Sequence, residues 1–188
     1  MELVSEAISF AVKAHDGMRR KNSDNPYILH PMEAAVIAGT MTTDQEVIAA
    51  AILHDVVEDA DIAIEEIEEK FGKRVRELVE SETEDKRAEL PPIDTWRIRK
   101  EETLSVLKNT NDMGILMVWL GDKLANIRSI YREWRKEGNS VWLNFNQKNV
   151  NEQEWYYKSI LKYTERLSDT LAWNEYKTIT ELMFGEGE

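Results

Sequence analysis

The chain of 188 residues carries a formal net charge of −12 and contains no cysteine. The negative charge argues against broad binding to nucleic acid or to an anionic membrane, because both require a positive protein surface. The absence of thiols excludes disulfides and restricts any metal site to nitrogen and oxygen ligands. With 42% hydrophobic and 32% charged residues, the composition indicates a helical globular protein. The first residues contain no long apolar run, so we expect a cytoplasmic protein without a signal peptide or membrane span.

The first half of the chain shows three predicted helices. Apolar residues at helical spacing predict an amphipathic helix over about residues 2–16, which ends near a glycine. A polar loop with a basic run follows, and Pro31 is suited to begin the second helix, which places His30 at the helix entrance. A third helix is predicted over residues 43–60, with Thr43 as its N-cap. Its centre, VIAAAIL, is apolar on all sides, so we expect this helix to be buried.

The remainder of the chain also follows a helical pattern. Two short amphipathic helices are predicted on either side of Gly72, followed by a polar loop, a helix from about Thr95 and a long helix that starts with an apolar half. Apolar and aromatic residues recur at helical spacing over residues 146–184. The predicted fold class is therefore all-α. We expect one multi-helix domain over residues 1–188, with its core motifs within residues 1–135 and the C-terminal helices packing on them.

The motif LHDVVED concentrates ionisable groups at the polar end of the third helix. On a helix, His54 and Glu58 are four residues apart, as are Asp55 and Asp59, so they form two neighbouring polar ridges. An imidazole and an adjacent carboxylate can reach one metal ion, while carboxylates one turn further on can transfer protons. An isolated His-Asp pair is usually a surface pair. Four ionisable groups at the end of an apolar helix, however, require a cation or other partners, which favours a metal site.

Three other residues are ambiguous when each is considered alone. Asp122 closely follows an apolar run and fits a surface carboxylate paired with Lys123 or Arg128. His30 fits an imidazole that caps or packs at a helix start. His15, near the end of the first helix, is expected to have a structural role, at a position where the helix dipole favours a cation. The residues by themselves leave the functional and structural interpretations of Asp122 and His30 open.

Four motifs occur in one order along the chain: RRKNSDNPYILHP, LHDVVED, LVESETEDK and LGDKLAN. Over roughly residues 1–135 they resemble the hydrolase domains of the RelA/SpoT family, which include the stand-alone small alarmone hydrolases of the HD superfamily. The resemblance implies a helical fold that binds one divalent ion, usually manganese, through the His of an HP motif, an HD pair and a later Asp. The matching positions here are His30, His54, Asp55 and Asp122.

The resemblance also implies an activity, the removal of pyrophosphate from the 3′ position of guanosine tetra- or pentaphosphate. Glu58 and Asp59 match the carboxylate pair associated with water activation and proton transfer, and which of them acts as acid or base stays open. The matching substrate positions are Arg20 and Lys21, near the base and phosphates, and Asn126 and Ser129, near the ribose and its phosphate. The implied partner is a small anionic nucleotide.

The chain departs from the family's usual pattern at three places. It has SDN before its Pro-Tyr pair, Gly121 where the family has Ala, and Glu82-Thr83 where the family often has Val-Thr. All expected metal ligands and the carboxylate pair are retained, but the departures fall at the expected nucleotide pocket. Two alternatives therefore remain: an HD phosphohydrolase acting on an adenosine alarmone or another phosphorylated nucleotide, and a helical regulatory module that binds a nucleotide without turnover.

Overall fold

The structure, a computed structural model, describes residues 2–20, 24–60, 62–87 and 89–185. Its α-helices are α1 (Leu3–Ala14), α2 (Leu29–Gly39), α3 (Gln45–Leu53), α4 (Val56–Asp59), α5 (Ile64–Phe71), α6 (Lys73–Glu80), α7 (Pro92–Asn109), α8 (Met113–Glu137), α9 (Val150–Tyr163) and α10 (Leu171–Phe184). Two 3-10 helical segments, Gly138–Asn144 and Glu165–Leu167, precede α9 and α10. Across the described ranges the sole β feature is an isolated antiparallel bridge between Arg19 and Pro26. The predicted all-α fold class is confirmed.

The chain divides into two compact units. The first consists of Met1–Thr83 and Asp112–Ala125, and the second of Glu84–Asn111 and Asn126–Glu188. Helix α8 contributes its first half to one unit and its second half to the other. The expectation of one domain, in which the C-terminal helices pack on the core motifs, stays a prediction.

Helix α3 lies at the centre of the first unit and contacts α1, α2 and α6. Its alanines Ala49, Ala50 and Ala51 are fully buried, as are Ile52 and Leu53 to within one percent. Small side chains allow neighbouring helices to approach closely, and the surrounding apolar residues fill the space between them. The third predicted helix is therefore buried as expected, and it holds its C-terminal end inside the unit.

Helix α3 differs from the predicted helix in its bounds. Asp44, not Thr43, is the N-cap, since its carboxylate accepts a hydrogen bond of 2.9 Å from the Glu46 N–H. The helix ends at Leu53, and α4 begins only after a turn. The carbonyl of Ala51, which the Asp55 N–H would use in an uninterrupted helix, lies 2.9 Å from Nδ1 of His54. A side chain thus competes for a backbone acceptor where the predicted helix is interrupted.

Two other helices begin earlier than predicted. Helix α2 begins at Leu29 rather than Pro31, so His30 lies in its first turn and is buried. Helix α7 begins at Pro92 rather than near Thr95, because proline has the backbone angle of a helix and lacks the N–H that the first turn leaves unpaired. The early start of α2 fixes the backbone of His30.

The second unit is built from α7, α9, α10 and the second half of α8, with α9 contacting both α7 and α10. Its core is aromatic: the rings of Trp142 and Tyr157 stack on Phe184 at centroid distances of 5.7 and 5.9 Å. The guanidinium of Arg97 lies over Trp155, 3.4 Å from its ring centroid.

Among the described helices, none combines the length and apolar character needed to cross a membrane.

Candidate metal centre

Three buried side chains from separate segments converge in the first unit. His30 of α2, His54 after α3 and Asp122 of α8 are 6%, 2% and 3% exposed. One donor atom from each lies within 4.8 Å of the others. Nitrogen and carboxylate oxygen donors at this spacing suit a divalent ion, as expected in a chain without cysteine.

Asp55 completes this group. Its Oδ2 lies 3.4 Å from Nε2 of His30 and 3.1 Å from Nε2 of His54. Oδ1 of Asp122 lies 2.8 Å and 3.4 Å from the same two nitrogens. Two imidazole nitrogens and two carboxylate oxygens therefore face one another. The structure brings together the four residues that the sequence nominates as ligands, and their role in metal binding stays a prediction.

The tautomer of His54 tests whether this group fits a metal ion. Its Nδ1 lies 2.9 Å from the Ala51 carbonyl, which can only accept a hydrogen bond, so Nδ1 carries the proton. In the neutral ring, Nε2 then presents a lone pair toward the two carboxylates. This nitrogen is buried and makes no hydrogen bond within the described residues. Anchoring one ring nitrogen to a backbone carbonyl and leaving the other bare is the arrangement found for metal-binding histidines, so the residues fit a divalent ion.

The electrostatics of the group also favour a cation. Burial by itself would lower the pKa of His54, but Asp55 and Asp122 outweigh burial and raise this pKa well above its ordinary value. Burial would raise the pKa of Asp55, yet the neighbouring His54 holds it below its usual range. The pKa of Asp122 is likewise lowered, since Lys123 and the two histidines outweigh burial. The group therefore stabilises positive charge between its members, whether a proton or a metal ion carries it.

The two oxygens of Asp122 face different partners. Oδ1 faces the imidazoles, while Oδ2 accepts a hydrogen bond from Lys123. The ammonium of Lys123 also lies 3.2 Å from Oε1 of Glu82 and 4.6 Å from the ring centroid of Trp119. The expected pairing with Lys123 thus occurs in the interior rather than at the helix surface, and Oδ1 is directed at the imidazoles. Arg128 instead pairs with Glu175 at 2.6 Å.

Glu82 is a residue that motif reasoning placed only loosely, at the nucleotide pocket. It is 5% exposed and lies against Lys123. Burial raises the pKa of its carboxyl to about 8, with Lys123 acting in the opposite direction. The signal in the sequence was an acid where the family often has an apolar residue. The structure shows that this acid neighbours the candidate metal centre through Lys123.

Tyr27 is a central residue of the site that sequence reasoning did not single out. Its hydroxyl lies 2.7 Å from Oδ2 of Asp55 and 2.7 Å from Oδ2 of Asp59. Burial and both carboxylates raise the pKa of the phenol, so it remains a protonated donor. The guanidinium of Arg20 lies 5.6 Å from the Tyr27 ring centroid. The tyrosine belongs to the PYILHP motif, whose histidine drew attention first.

The remaining predicted site residues have mixed outcomes. Asp59 joins the site through Tyr27, while Glu58 lies on the same short helix α4 and is partly exposed. Lys21 lies outside the described residues. Asn126 and Ser129 follow Asp122 by four and seven residues on α8, in the part that belongs to the second unit. The assignment of all these residues to catalysis or substrate binding stays a prediction.

His15 lies at the C-terminal end of α1, as predicted, but its burial opposes the positive charge that the helix dipole would favour there. His15 is 3% exposed, with its Nδ1 3.4 Å from Sδ of Met18 and its ring 5.0 Å from that of Tyr27. Burial lowers the pKa of this imidazole despite the nearby carboxylates. The buried ring lies against the ring of Tyr27, which fits the predicted structural role.

Comparison with known proteins gives the class of this fold and site. Residues 7–149 match the family model of the HD domain. The chain therefore belongs to the HD domain family, and the family implies a divalent metal, for which the His/Asp group is a candidate site. The predicted membership of the HD superfamily is confirmed.

Two curated proteins within this family show which of its members the chain resembles. The chain is 41% identical over 132 residues to guanosine-3′,5′-bis(diphosphate) 3′-pyrophosphohydrolase MESH1 of Homo sapiens, with 68% of this chain and 69% of that protein covered. It is 33% identical over 138 residues to a guanosine-3′,5′-bis(diphosphate) 3′-pyrophosphohydrolase of Aquifex aeolicus, with 72% of this chain covered. The match spans only 19% of that longer relative.

Two solved structures share the fold. One, described as a metazoan ortholog of SpoT that hydrolyses ppGpp, superposes with a TM-score of 0.79 at 23% identity and covers 99% of this chain and 98% of its own. The other, a protein of Listeria monocytogenes, gives a TM-score of 0.72 at 29% identity and covers 84% of this chain and 99% of its own. The HD fold of the present chain is thus supported over almost its whole length.

Proposed function

We propose that this protein is a manganese-dependent phosphohydrolase that removes the 3′-pyrophosphate from guanosine tetra- and pentaphosphate. The observation that carries the proposal is the convergence of His30, His54, Asp55 and Asp122 in one largely buried group of nitrogen and oxygen donors. Names of the human and Aquifex relatives, which share a third or more of the aligned residues, support the choice of reaction and substrate.

Each group of residues has a part in this reaction. The two histidines and two aspartates would hold the divalent ion, for which we propose manganese. When bound, such an ion neutralises charge that develops on phosphoryl oxygens and makes water a better nucleophile. Glu58 and Asp59 would accept and donate the protons that water attack and departure of the leaving group require.

Substrate binding would fall to four cationic and polar residues. The guanidinium of Arg20 suits stacking on a base and bidentate contacts with phosphate oxygens, and it already lies beside Tyr27. We assign Lys21 to the base and phosphates, and Asn126 and Ser129 to the ribose and its phosphate. In this proposal a local group of cations overcomes the repulsion of an anionic nucleotide by a chain with net charge −12. We further propose that the protein acts in the cytoplasm without a nucleic acid partner.

The decisive experiment measures metal content and pyrophosphate release with the full chain. We expect purified protein to bind Mn2+ and to release pyrophosphate from 3′-pyrophosphorylated guanosine nucleotides in a manganese-dependent way. Adenosine counterparts in the same panel test the base. The matched control is His54→Ala, which should lose both metal and turnover.

Each failure of this experiment has a defined meaning. A wild-type protein without affinity for Mn2+ would contradict the enzyme assignment and favour a regulatory module. Cleavage of an adenosine nucleotide while guanosine tetraphosphate survives would show that the base is wrong and the reaction class is right.

A further inference from the structure

Tyr27 connects two carboxylates that belong to different parts of the site. Asp55 is a candidate metal ligand, and Asp59 is a candidate for proton transfer. The hydroxyl of Tyr27 lies 2.7 Å from Oδ2 of each. For Asp55 this is the same oxygen that faces Nε2 of both histidines. One phenol oxygen thus lies between the metal centre and the carboxylate one helical turn further on.

The chemistry of a phenol makes this contact specific. A tyrosine hydroxyl has one proton to donate, and hydrogen bonds from O–H to a carboxylate are short and roughly twice as strong as neutral ones. The hydroxyl oxygen of Tyr27 lies 2.7 Å from both carboxylate oxygens, a preferred distance for such a bond, so the two acceptors share its one proton. The carboxylates repel each other, and the hydroxyl between them offsets part of that repulsion. Asp59 is thereby held close to Asp55.

The ring of Tyr27 is fixed independently of its hydroxyl. Its backbone N–H donates to the Met18 carbonyl at 3.0 Å, which connects the PYILHP segment to the residues that follow α1. The ring lies 5.0 Å from the ring of His15 and contacts His30 edge to face at 6.0 Å. A ring held on several sides places its hydroxyl with little freedom, as a functional group needs for precise geometry.

We infer that Tyr27 is a positioning residue of the hydrolytic site, whose hydroxyl orients Asp55 toward the metal ion and holds Asp59 within reach of the reacting groups. Tyr27 itself touches neither substrate nor ion in this role. The inference rests on the proposed function, because it assigns Tyr27 to the support of a metal ligand and of a proton-transferring carboxylate.

The first test is Tyr27→Phe, which removes the hydroxyl and keeps the ring. Loss of a hydrogen bond to a metal ligand commonly weakens metal affinity about 10- to 100-fold, so we expect the Mn2+ dissociation constant measured by calorimetry to rise about tenfold. Tyr163→Phe, a change of the same kind at the end of α9, serves as the control and should leave the constant unchanged. Unfolding curves of both variants establish that each is folded.

The second test uses kinetics at saturating Mn2+, where the loss of ion affinity no longer matters. We expect Tyr27→Phe to lower kcat about tenfold and to change KM less than threefold, because the loss concerns the chemical step rather than substrate binding. In an Asp59→Asn background, the same change should lower kcat by less than twofold, since Tyr27 acts through Asp59.

The outcomes separate the two proposals. Wild-type Mn2+ affinity in Tyr27→Phe would overturn the link to Asp55, and an equal loss of kcat with and without Asp59→Asn would overturn the link to Asp59. If wild-type protein binds Mn2+ but cleaves no nucleotide of the panel, the proposed substrate fails and the affinity measurement alone decides on Tyr27. If wild-type protein binds no Mn2+, both proposals fail.

Discussion

In two side chains of this site, one polar atom contacts a structural partner while the other faces the group of candidate ligands. Nδ1 of His54 donates a hydrogen bond to the Ala51 carbonyl, and Nε2 of the same ring faces the other candidate ligands. Oδ2 of Asp122 accepts a hydrogen bond from Lys123, and Oδ1 faces the histidines. This division fixes orientation before any ligand arrives, so little reorganisation accompanies binding.

The carboxylate pair can be tested separately from the metal ligands. Glu58→Gln removes a proton acceptor without removing a ligand, so we expect this variant to retain Mn2+ and to lose most of its turnover. Metal content and pyrophosphate release measured on the same preparation give both results. Glu65→Gln, on the exposed side of α5, is the matched control. Full turnover in Glu58→Gln would show that the pair is misassigned.

The buried His15 predicts a dependence of stability on pH. Because burial lowers its pKa in the folded protein below the value of about 6.5 in the unfolded chain, the unfolded chain binds the proton more readily. The contribution of His15 to stability is therefore complete above pH of about 6.5 and declines as the pH falls from there toward the folded pKa.

Denaturant unfolding between pH 7.5 and 5 measures this effect. As the pH falls, we expect the free energy of unfolding to decrease more steeply for the wild type than for His15→Gln, because glutamine has no titratable group. The other acidic and basic groups are common to both proteins, so the difference reports His15 together with its interactions with the neighbouring Asp55, Asp59, His30 and His54. Parallel pH dependences would contradict the prediction.

Residues whose chemical type is rare in a core were the most predictable part of the site. His30, His54, Asp55 and Asp122 were nominated from the sequence, and the structure brings them together. Tyr27 was missed, because a tyrosine near a helix start is usually a core residue, and its partners lie far along the sequence. Its role depends on how the loop before α2 closes onto α4, which no local pattern encodes.

At the level of elements, helical spacing predicted the helices well and their ends less well. The break after Leu53 was not predicted, since the pattern of LHDVVED continues that of a helix. There, a side-chain contact with a backbone carbonyl competes with the helical hydrogen bond, and this competition is invisible to periodicity. The N-cap shifted by one residue for a similar reason, because Thr and Asp are both good caps.

Helices α2 and α8 approach each other closely at Gly121, directly before Asp122. A Cβ at this position would lie 2.8 Å from the Ala34 carbonyl oxygen of α2, which is closer than real contacts allow. The two helices carry His30 and Asp122, so their separation sets the distance between these candidate ligands. Glycine, which stands where the resemblance leads us to expect alanine, permits this separation.

Gly121→Ala should therefore separate the two helices by a few tenths of an ångström. The better helix propensity of alanine contributes about 1 kcal/mol, but overpacking costs about 1–3 kcal/mol, so we expect net destabilisation of about 1 kcal/mol. Mn2+ affinity should fall severalfold, as measured by calorimetry. Gly39→Ala is the control, because its Cβ would meet only Cδ1 of Ile48, at 3.9 Å. Equal effects of the two substitutions would exclude a role for the close approach.

At the level of the whole molecule, the candidate ligands all belong to the first unit, although they come from three separate segments. The chain is strongly acidic, and this unit places the buried Asp122 and the partly buried Asp55 beside the histidines. An ion that binds only the folded protein stabilises it by mass action.

Removal of the metal should accordingly lower stability. Mn2+ at 100 times its dissociation constant adds about 2.7 kcal/mol to the free energy of unfolding relative to the protein with chelator. Thermal unfolding with Mn2+ and with EDTA measures the difference, and His54→Ala should show none. A midpoint that does not respond to Mn2+ in the wild type would contradict an ion in this group of donors.

The wide separation of the candidate ligands along the chain has a kinetic consequence. His30 lies on α2 and Asp122 on α8, so an ion between them would join segments that are far apart along the chain. We expect contacts between such distant segments to form late in folding, and interactions absent from the transition state act on the rate of unfolding rather than on the rate of folding. A bound ion would therefore lengthen the lifetime of the folded protein.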